Sequence, residues 1–437
     1  MLKKLKQCRN LKEIYETIPE GYYERGSFIM ILLMLFMLVA ETAARYCTRH
    51  ASFNEMVTYY YYAGYVIIVF AILLLTVKIA GAGWDGIKEY AKNNAYDIAF
   101  IFMLLLAFVS VLNSGDAKTA FMGHWFRQSG FRSYLIYASM YICGKNIIKQ
   151  RTRMNIYLVF GIVATLQNIL LFTKYSGYYG SMTGAFYNRN HSAYFITMAI
   201  FAIAGLILMD KRICVKVAGT VMYLLNIWCL IINNTFGCYL AVVAGLVFLA
   251  AMLLLREKRL NRMVILLTVY FVAVSAWTDY KTNIISDNFG ITTNDLGKIA
   301  KGDEDAGGAG TGRWELWVNA AKYSVKNPLF GCGPDRLSQI RKKTVNENTE
   351  DGNLSEPHNE YLQYAAEIGF PAALCYITGL VMIFISGIKR LKKSDNSLIY
   401  DGTIVFAYCV SAFFGVVMFY TAVFFFFILG MTGGRHE

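Results

Sequence analysis

Charge is scarce in this chain. Only 16% of its 437 residues are Asp, Glu, Lys or Arg, against 56% hydrophobic. Soluble domains carry about 25% charged and roughly 45–50% apolar residues, so a soluble globular protein of this size would expose too much apolar surface. Proline is scarcer still at five residues, which excludes Pro-rich and collagen-like chains. The nine cysteines stand as singletons without a CxxC or a Cys/His cluster, so no disulfide framework and no zinc site is expected. Most lie in apolar runs, where a free thiol acts as a small hydrophobe. Abundant Leu, Ile, Val, Phe and Tyr exclude disorder. What remains is an all-α, polytopic membrane protein.

A membrane helix needs about 20 mostly apolar residues. Candidate spans run over 27–46, 57–77, 95–113, 131–148, 155–174, 191–209, 213–232, 237–255, 263–279 and 369–388. The last apolar run, 402–431, is too long for one upright span and reads as two helices breaking near Gly415. The count is about 11–12. The first span follows a 26-residue leader and has a long apolar core, so it is expected to stay as an anchor.

The net charge of +13 would suggest nucleic acid in a soluble protein. Here it reports topology. With the N-terminus inside, the inner segments hold 24 of the 42 lysines and arginines, and the short outer loops hold seven. Basic residues favour cytoplasmic loops. No nucleic-acid partner is implied; the bilayer is the partner.

This divides the chain into a cytoplasmic tail (1–26), nine spans (27–280), one long extracytoplasmic loop (281–366) and the last two or three spans (367–437). Long loops in compact chains are usually functional or disordered. Asn283 to Gly312 is Gly-rich, acidic and aperiodic, and reads as mobile. Residues 313–326 place Trp314, Trp317, Val318 and Ala321 at helical spacing, ending at Asn327-Pro328. Arg313 then lies in a first helical turn, where free N–H groups favour anions and a guanidinium fork matches phosphate oxygens. A second helix is expected over 355–369, with Ser355 as N-cap and Pro357 and His358 in its first turn. A helix start disfavours imidazolium, so His358 is expected to be neutral and able to accept a hydroxyl proton. Asn359, Glu360 and Glu367 are candidates to orient it or the acceptor.

The run Gly312-Arg313-Trp314, then Asn327 to Gly333, His358-Asn359-Glu360-Tyr361-Leu362-Gln363 and Glu367-Ile368-Gly369 resembles the C-terminal signature of the O-antigen ligase and polymerase family. Gly184 to Ala193 resembles that family's Asn-rich stretch entering a middle span. The resemblance implies an inverting, metal-independent glycosyltransferase without a cofactor. It would move a glycan from undecaprenyl diphosphate to a glycan, lipid or protein acceptor hydroxyl at the outer face of the cytoplasmic membrane. It implies His358 as base and Arg313 on the diphosphate. One departure stands out. The family usually has Ser-Arg-Gly entering the eighth span, and this chain reads Thr235-Phe236-Gly237. Arg189, or a loop cation such as Arg341, is expected to substitute for the missing arginine, with Arg189 favoured and Asn190 beside it.

Weaker signals compete. Asp303-Glu304-Asp305 mimics a metal-binding DxD, and Gly308, Gly310 and Gly312 mimic a nucleotide loop, but no strand precedes them. His124, Trp125 and Arg127 read as interfacial, His191 as part of a helix cap, and Gln167, Asn168 and Asn226 as glue between spans. The alternative function is a transporter or flippase for lipid-linked glycans. That predicts charge near mid-membrane, whereas this chain holds its chemistry-capable groups outside the spans.

Overall fold

The computed structural model describes residues 5–48, 53–124, 127–172, 186, 188–340, 356–391 and 395–434. Among them the chain is helical, with no strand. The first helices are α1 (Leu11–Thr17), α2 (Glu20–Thr48), α3 (Phe53–Asn93), α4 (Ala95–Asn113) and α5 (Ala117–Met122). They are followed by α6 (Phe131–Gly144), α7 (Gln150–Phe172), α8 (Arg189–Met209), α9 (Ile213–Asn233), α10 (Phe236–Glu257) and α11 (Arg262–Thr282). The long polar stretch carries α12 (Ile284–Lys301) and α13 (Arg313–Lys326). The chain ends in α14 (Glu360–Leu391), α15 (Ser397–Ser411) and α16 (Phe419–Gly433).

Nine helices among the described residues are long and apolar enough to cross a membrane. The three other expected spans are also helical. Two are short, with α6 at 14 and α16 at 15 residues, and α7 opens on Gln150, Arg151 and Arg153. Between α15 and α16 a 3-10 turn at Ala412–Phe414 and an extended Gly415 interrupt the apolar run.

Two helices form the centre. α8 is buried from His191 to Ile207 and α16 at every residue from Phe419 to Gly433. A helix apolar on all sides is one that other helices enclose. α6 crosses α16 at two glycines. A Cβ on Gly144 would lie 1.9 Å from the Phe427 carbonyl oxygen, and one on Gly430 would lie 2.1 Å from that of Tyr141. Such small-residue crossings let backbones meet where no hydrophobic force separates helix from lipid. Polar glue works as expected from the sequence: Asn168 Nδ2 donates to Asn226 Oδ1 at 2.8 Å, and Asn226 Nδ2 donates to Thr165 Oγ1 at 3.0 Å.

The bundle has two chemically different ends. At one, Asp97 accepts from Tyr90 and pairs with Lys145, and Arg153 pairs with Asp401. Arg390 closes the C-terminus of α16 by donating to the Gly434 carbonyl at 2.6 Å. Asp97 is only 13% exposed and is neutralised by the lysine. The other end carries the long polar stretch.

That stretch is more ordered than the sequence reading. α12 occupies a region expected to be aperiodic. Ile284, Ile285, Phe289 and Ile299 fall on one helical face, but Gly290 and Gly297 interrupt the pattern. Its start is capped from a distance: Asp279 in the last turn of α11 accepts the N–H groups of Ile285 (2.8 Å) and Ser286 (3.0 Å). A cap supplied by the preceding helix leaves no local signature. Asp303, first residue of the DxD-like run, accepts the Asp305 N–H in a turn.

The joint between loop and bundle is a break in α14 at Gly369 (φ +86°, ψ +161°). Pro371 follows, so neither residue continues the helical ladder. The carbonyls released there find partners in the turn after α13. Cys332 N–H donates to Ala366 O (3.1 Å), Gly333 N–H to Glu367 O (2.8 Å), and Phe370 N–H to Pro328 O (2.8 Å). Ser110 on α4 donates to the Glu367 carbonyl at 2.9 Å. A Cβ at 369 would sit 2.2 Å from the Leu329 carbonyl oxygen. Gly369→Ala therefore combines a strained φ with a backbone collision. It should destabilise the protein by at least about 1–3 kcal/mol, read as a lower thermal midpoint of the purified protein; an unchanged midpoint would remove this joint as a constraint.

Candidate functional site

Beyond the break at Gly369, the first part of α14, residues 360–368, belongs to a helix that packs on α4, α13 and α15. This helix starts later than the sequence suggests. Its N-cap is Asn359, whose Oδ1 accepts the N–H groups of Tyr361 and Leu362, both at 3.1 Å. Ser355, the expected cap, lies outside the described residues. His358 consequently precedes the helix rather than occupying its first turn. It holds φ +49°, a left-handed conformation that is uncommon for a residue with a side chain. Such strain concentrates at functional positions. Its Nδ1 is buried without a hydrogen-bond partner. Burial, then the charges of Arg313 and Arg127, lower its pKa to about 4. Burial and guanidinium charge, rather than a helix start, favour the neutral imidazole here.

The acidic candidates turn away from the imidazole. Glu360 is buried and accepts from Tyr376 Oη (3.0 Å) and Tyr408 Oη (3.2 Å). Glu367 is buried and accepts from Gln363 Nε2 at 3.3 Å, while Gln363 Oε1 accepts the Val417 N–H at 3.0 Å. Asn359 is committed to capping. These groups lock α14 onto α15 and the start of α16, and thereby fix the backbone that presents His358.

Arg313 is the first residue of α13, after Gly312. Burial is the main influence on its guanidinium and lowers its pKa; Tyr194 on α8 and Cys238 on α10 counteract, and Arg189 adds to the lowering. Arg313 thus lies over the starts of α8 and α10, within electrostatic range of His358. Arg189 is the exposed first residue of α8, capped by Asn188, which accepts the Asn190 N–H at 2.8 Å. Thr235 Oγ1 sits 3.4 Å from Asn190 Oδ1 and 2.6 Å from Asn233 Oδ1. Next to it, Phe236 stacks on Tyr239 and meets Phe289 of α12 edge-on, with centroids 6.1 and 5.3 Å apart. Where an arginine was expected, an aromatic ring docks α12 instead. Arg341 lies outside the described residues.

Three residues at this site escaped the sequence reading. Arg127, taken there for an interfacial residue, is mostly buried, forms an ion pair with Glu356, and acts electrostatically on His358 and His191. Asp335 is buried and accepts the N–H groups of His124 (2.6 Å) and Ser129 (3.0 Å). Burial pushes its pKa up to about 6, with Arg127 acting in the opposite direction. His191 is buried in the first turn of α8 with an unpartnered Nδ1, near His358 in electrostatic terms. The sequence did carry one signal for Arg127: it is among the few cations on segments assigned to the outer face.

Chemically, the arrangement joins a neutral imidazole with guanidinium groups and the N-termini of α8, α10, α13 and α14. Helix starts carry partial positive charge, so this end of the bundle favours an anion beside a proton acceptor. Arg127 and Glu356 connect the 124–129 loop to the His358 segment, and removing one partner from a buried pair strands the other. Arg127→Met should destabilise the protein by about 3 kcal/mol. Arg127→Met combined with Glu356→Gln should recover part of that loss in a double-mutant cycle of thermal midpoints; additive losses would show that the two groups do not interact.

Comparison with curated proteins finds no match. A family model described as O-antigen ligase matches residues 220–377. The matched segment runs from within α9 to eight residues past the α14 break and includes Phe236, Arg313, His358, Glu360 and Glu367; Arg127, Arg189 and His191 lie before it. With apolar helices on either side of that segment and its loop carrying the imidazole and guanidinium, the chain is similar to the O-antigen ligase family over residues 220–377.

Proposed function

We propose that this multi-pass membrane protein transfers an oligo- or polysaccharide from undecaprenyl diphosphate to an acceptor hydroxyl, as a ligase or polymerase of surface glycans. The family match supports membrane glycan transfer in general. The observation that carries the finer reading is the convergence of His358 and Arg313, 45 positions apart in sequence, above the starts of α8 and α10.

In this reading the acceptor oxygen attacks the anomeric carbon from the face opposite the diphosphate. The bond between that carbon and the phosphate oxygen breaks, configuration inverts, and the hydroxyl proton passes to the His358 imidazole. The bonding electrons leave with the lipid diphosphate. Arg313 and Arg189 neutralise the growing charge, and the desolvated setting of Arg313 strengthens that effect. No step calls for a metal ion. Glu360, Glu367 and Asn359 hold the segment that carries the base, and Asn190 with Thr235 shapes the floor beneath the diphosphate. The positive-inside pattern puts this end of the bundle outside the cytoplasm and the N-terminus within it. Donor and acceptor then meet at the outer face of the inner membrane.

Purified protein with lipid-linked donor and acceptor tests this. His358→Gln should lower transfer by about 10²–10⁴-fold, the usual worth of a general base. Arg313→Lys keeps the charge but loses the fork, and should weaken donor use less than Arg313→Ala. Wild-type rates in the His358 variant would remove the base. The pH profile gives a separate reading. The free imidazole is neutral above about pH 4, so the acidic limb of kcat/KM should fall near pH 4, well below the ordinary histidine range. A limb near 6.5 would mean that another group is titrating.

A further inference from the structure

At the end of the bundle opposite His358, a cavity of about 600 Å³ opens between the starts of α2 and α7. Arg25, Lys149 and Arg151 line it, together with Pro19, Tyr22 and Glu24. Lys149 Nζ lies 3.9 Å from where a Cβ on Gly21 would sit, so its ammonium stands over the first turn of α2. Glu24 is the one acidic side chain in the lining. It is buried, and it accepts the Lys149 backbone N–H at 2.9 Å. Arg25 rests over the Tyr22 ring at 5.5 Å. Among the described residues none of the three cations forms an ion pair. Glu20, on the first turn of α2, faces outward. Three exposed positive groups stand against one buried carboxylate at one opening, an excess of positive charge that attracts an anion.

Apolar tracks lead away from this opening. On α2, Tyr22, Ile29 and Phe36 recur every seven residues, with exposures of 45, 56 and 61%. On the neighbouring α7, Ile162, Leu166 and Ile169 are exposed above Arg151 and Asn155. α2 and α7 pack together. Cations at the mouth and paired apolar stripes beyond it match an amphiphile with an anionic head and hydrocarbon tails.

We propose that this cavity binds the phosphate headgroup of an anionic phospholipid, with its acyl chains lying along the exposed faces of α2 and α7. Arginine forks and a lysine ammonium suit phosphate oxygens, and basic pockets between spans at the cytoplasmic side hold anionic lipid heads. The size fits a headgroup. The apolar tracks favour a lipid over soluble phosphate, which would need none. This site stands apart from the transfer reaction and does not depend on it.

Native mass spectrometry of the full-length protein, reconstituted with phosphatidylglycerol or phosphatidylcholine, tests the proposal. Wild-type protein should retain phosphatidylglycerol at least about tenfold better than phosphatidylcholine. The triple variant Arg25→Gln, Lys149→Gln, Arg151→Gln should lose that preference, while Lys88→Gln with Lys92→Gln keeps it. Lys149→Gln alone is the milder change. It should shrink the rise in thermal midpoint that phosphatidylglycerol gives wild type, a comparison that also confirms folding. Equal retention in the triple variant, or equal retention of the zwitterionic lipid, overturns the site. Displacement of the lipid by millimolar inorganic phosphate overturns the lipid assignment.

Discussion

The backbone of α14 cannot stay broken at Gly369 without partners for the groups it releases. Within a bilayer, an unpaired carbonyl or N–H costs several kcal/mol, and here the Ala366 and Glu367 carbonyls and the Phe370 N–H are taken by defined partners. The turn after α13 supplies Cys332, Gly333 and Pro328, and α4 supplies Ser110. That set of hydrogen bonds clasps the polar stretch to the bundle. Without it, the segments that carry Arg313 and His358 would lose their shared anchor on the bundle, and in the proposed reaction such positioning is what sets the rate.

From that clasp the site follows in layers. Asn359 caps the continuing helix, Glu360 anchors it through two tyrosines, and Gln363 ties it to the start of α16. The acidic residues near the imidazole therefore act on the scaffold. The guanidinium of Arg127, in the segment between α5 and α6, links to Glu356 in the segment before His358. The electrostatics then become asymmetric: cations and helix starts gather where the imidazole is, while carboxylates point inward to hydroxyl and amide donors. An anion entering that space meets positive potential together with a proton acceptor.

The opposite end shows the same physics in a different use. Asp97 with Lys145 and Arg153 with Asp401 are paired charges that join helices. Arg25, Lys149 and Arg151 are instead left facing a cavity. Paired charges in a bundle serve packing, whereas the cations at this opening lack ion-pair partners among the described residues. In the proposed readings the two ends divide anion recognition between them, one toward a carrier diphosphate and one toward an anionic lipid.

Much of the architecture was legible in the sequence because membrane insertion imposes local rules. Apolar length gives the spans, the alternation of basic loops gives their order, and Asn327-Pro328 and Gly369-Pro371 mark breaks in φ/ψ terms that hold in any context. The helix over 313–326 and the prominence of Arg313 and His358 were visible for the same reason. The sequence could not show α12, whose cap comes from Asp279 on another helix, nor the late start of α14 at Glu360. It could not tell that Glu360 turns toward Tyr376 and Tyr408, or that Arg127 is buried beside Glu356. Those outcomes depend on which surfaces meet, from 6 residues apart for Asp279 and Ile285 to 229 for Arg127 and Glu356, and burial, pairing and charge come into being only when they do. Composition and periodicity settled that the chain is a helical membrane protein with an active-looking loop; tertiary contact alone decided which side chains face the reacting space and which hold it in place.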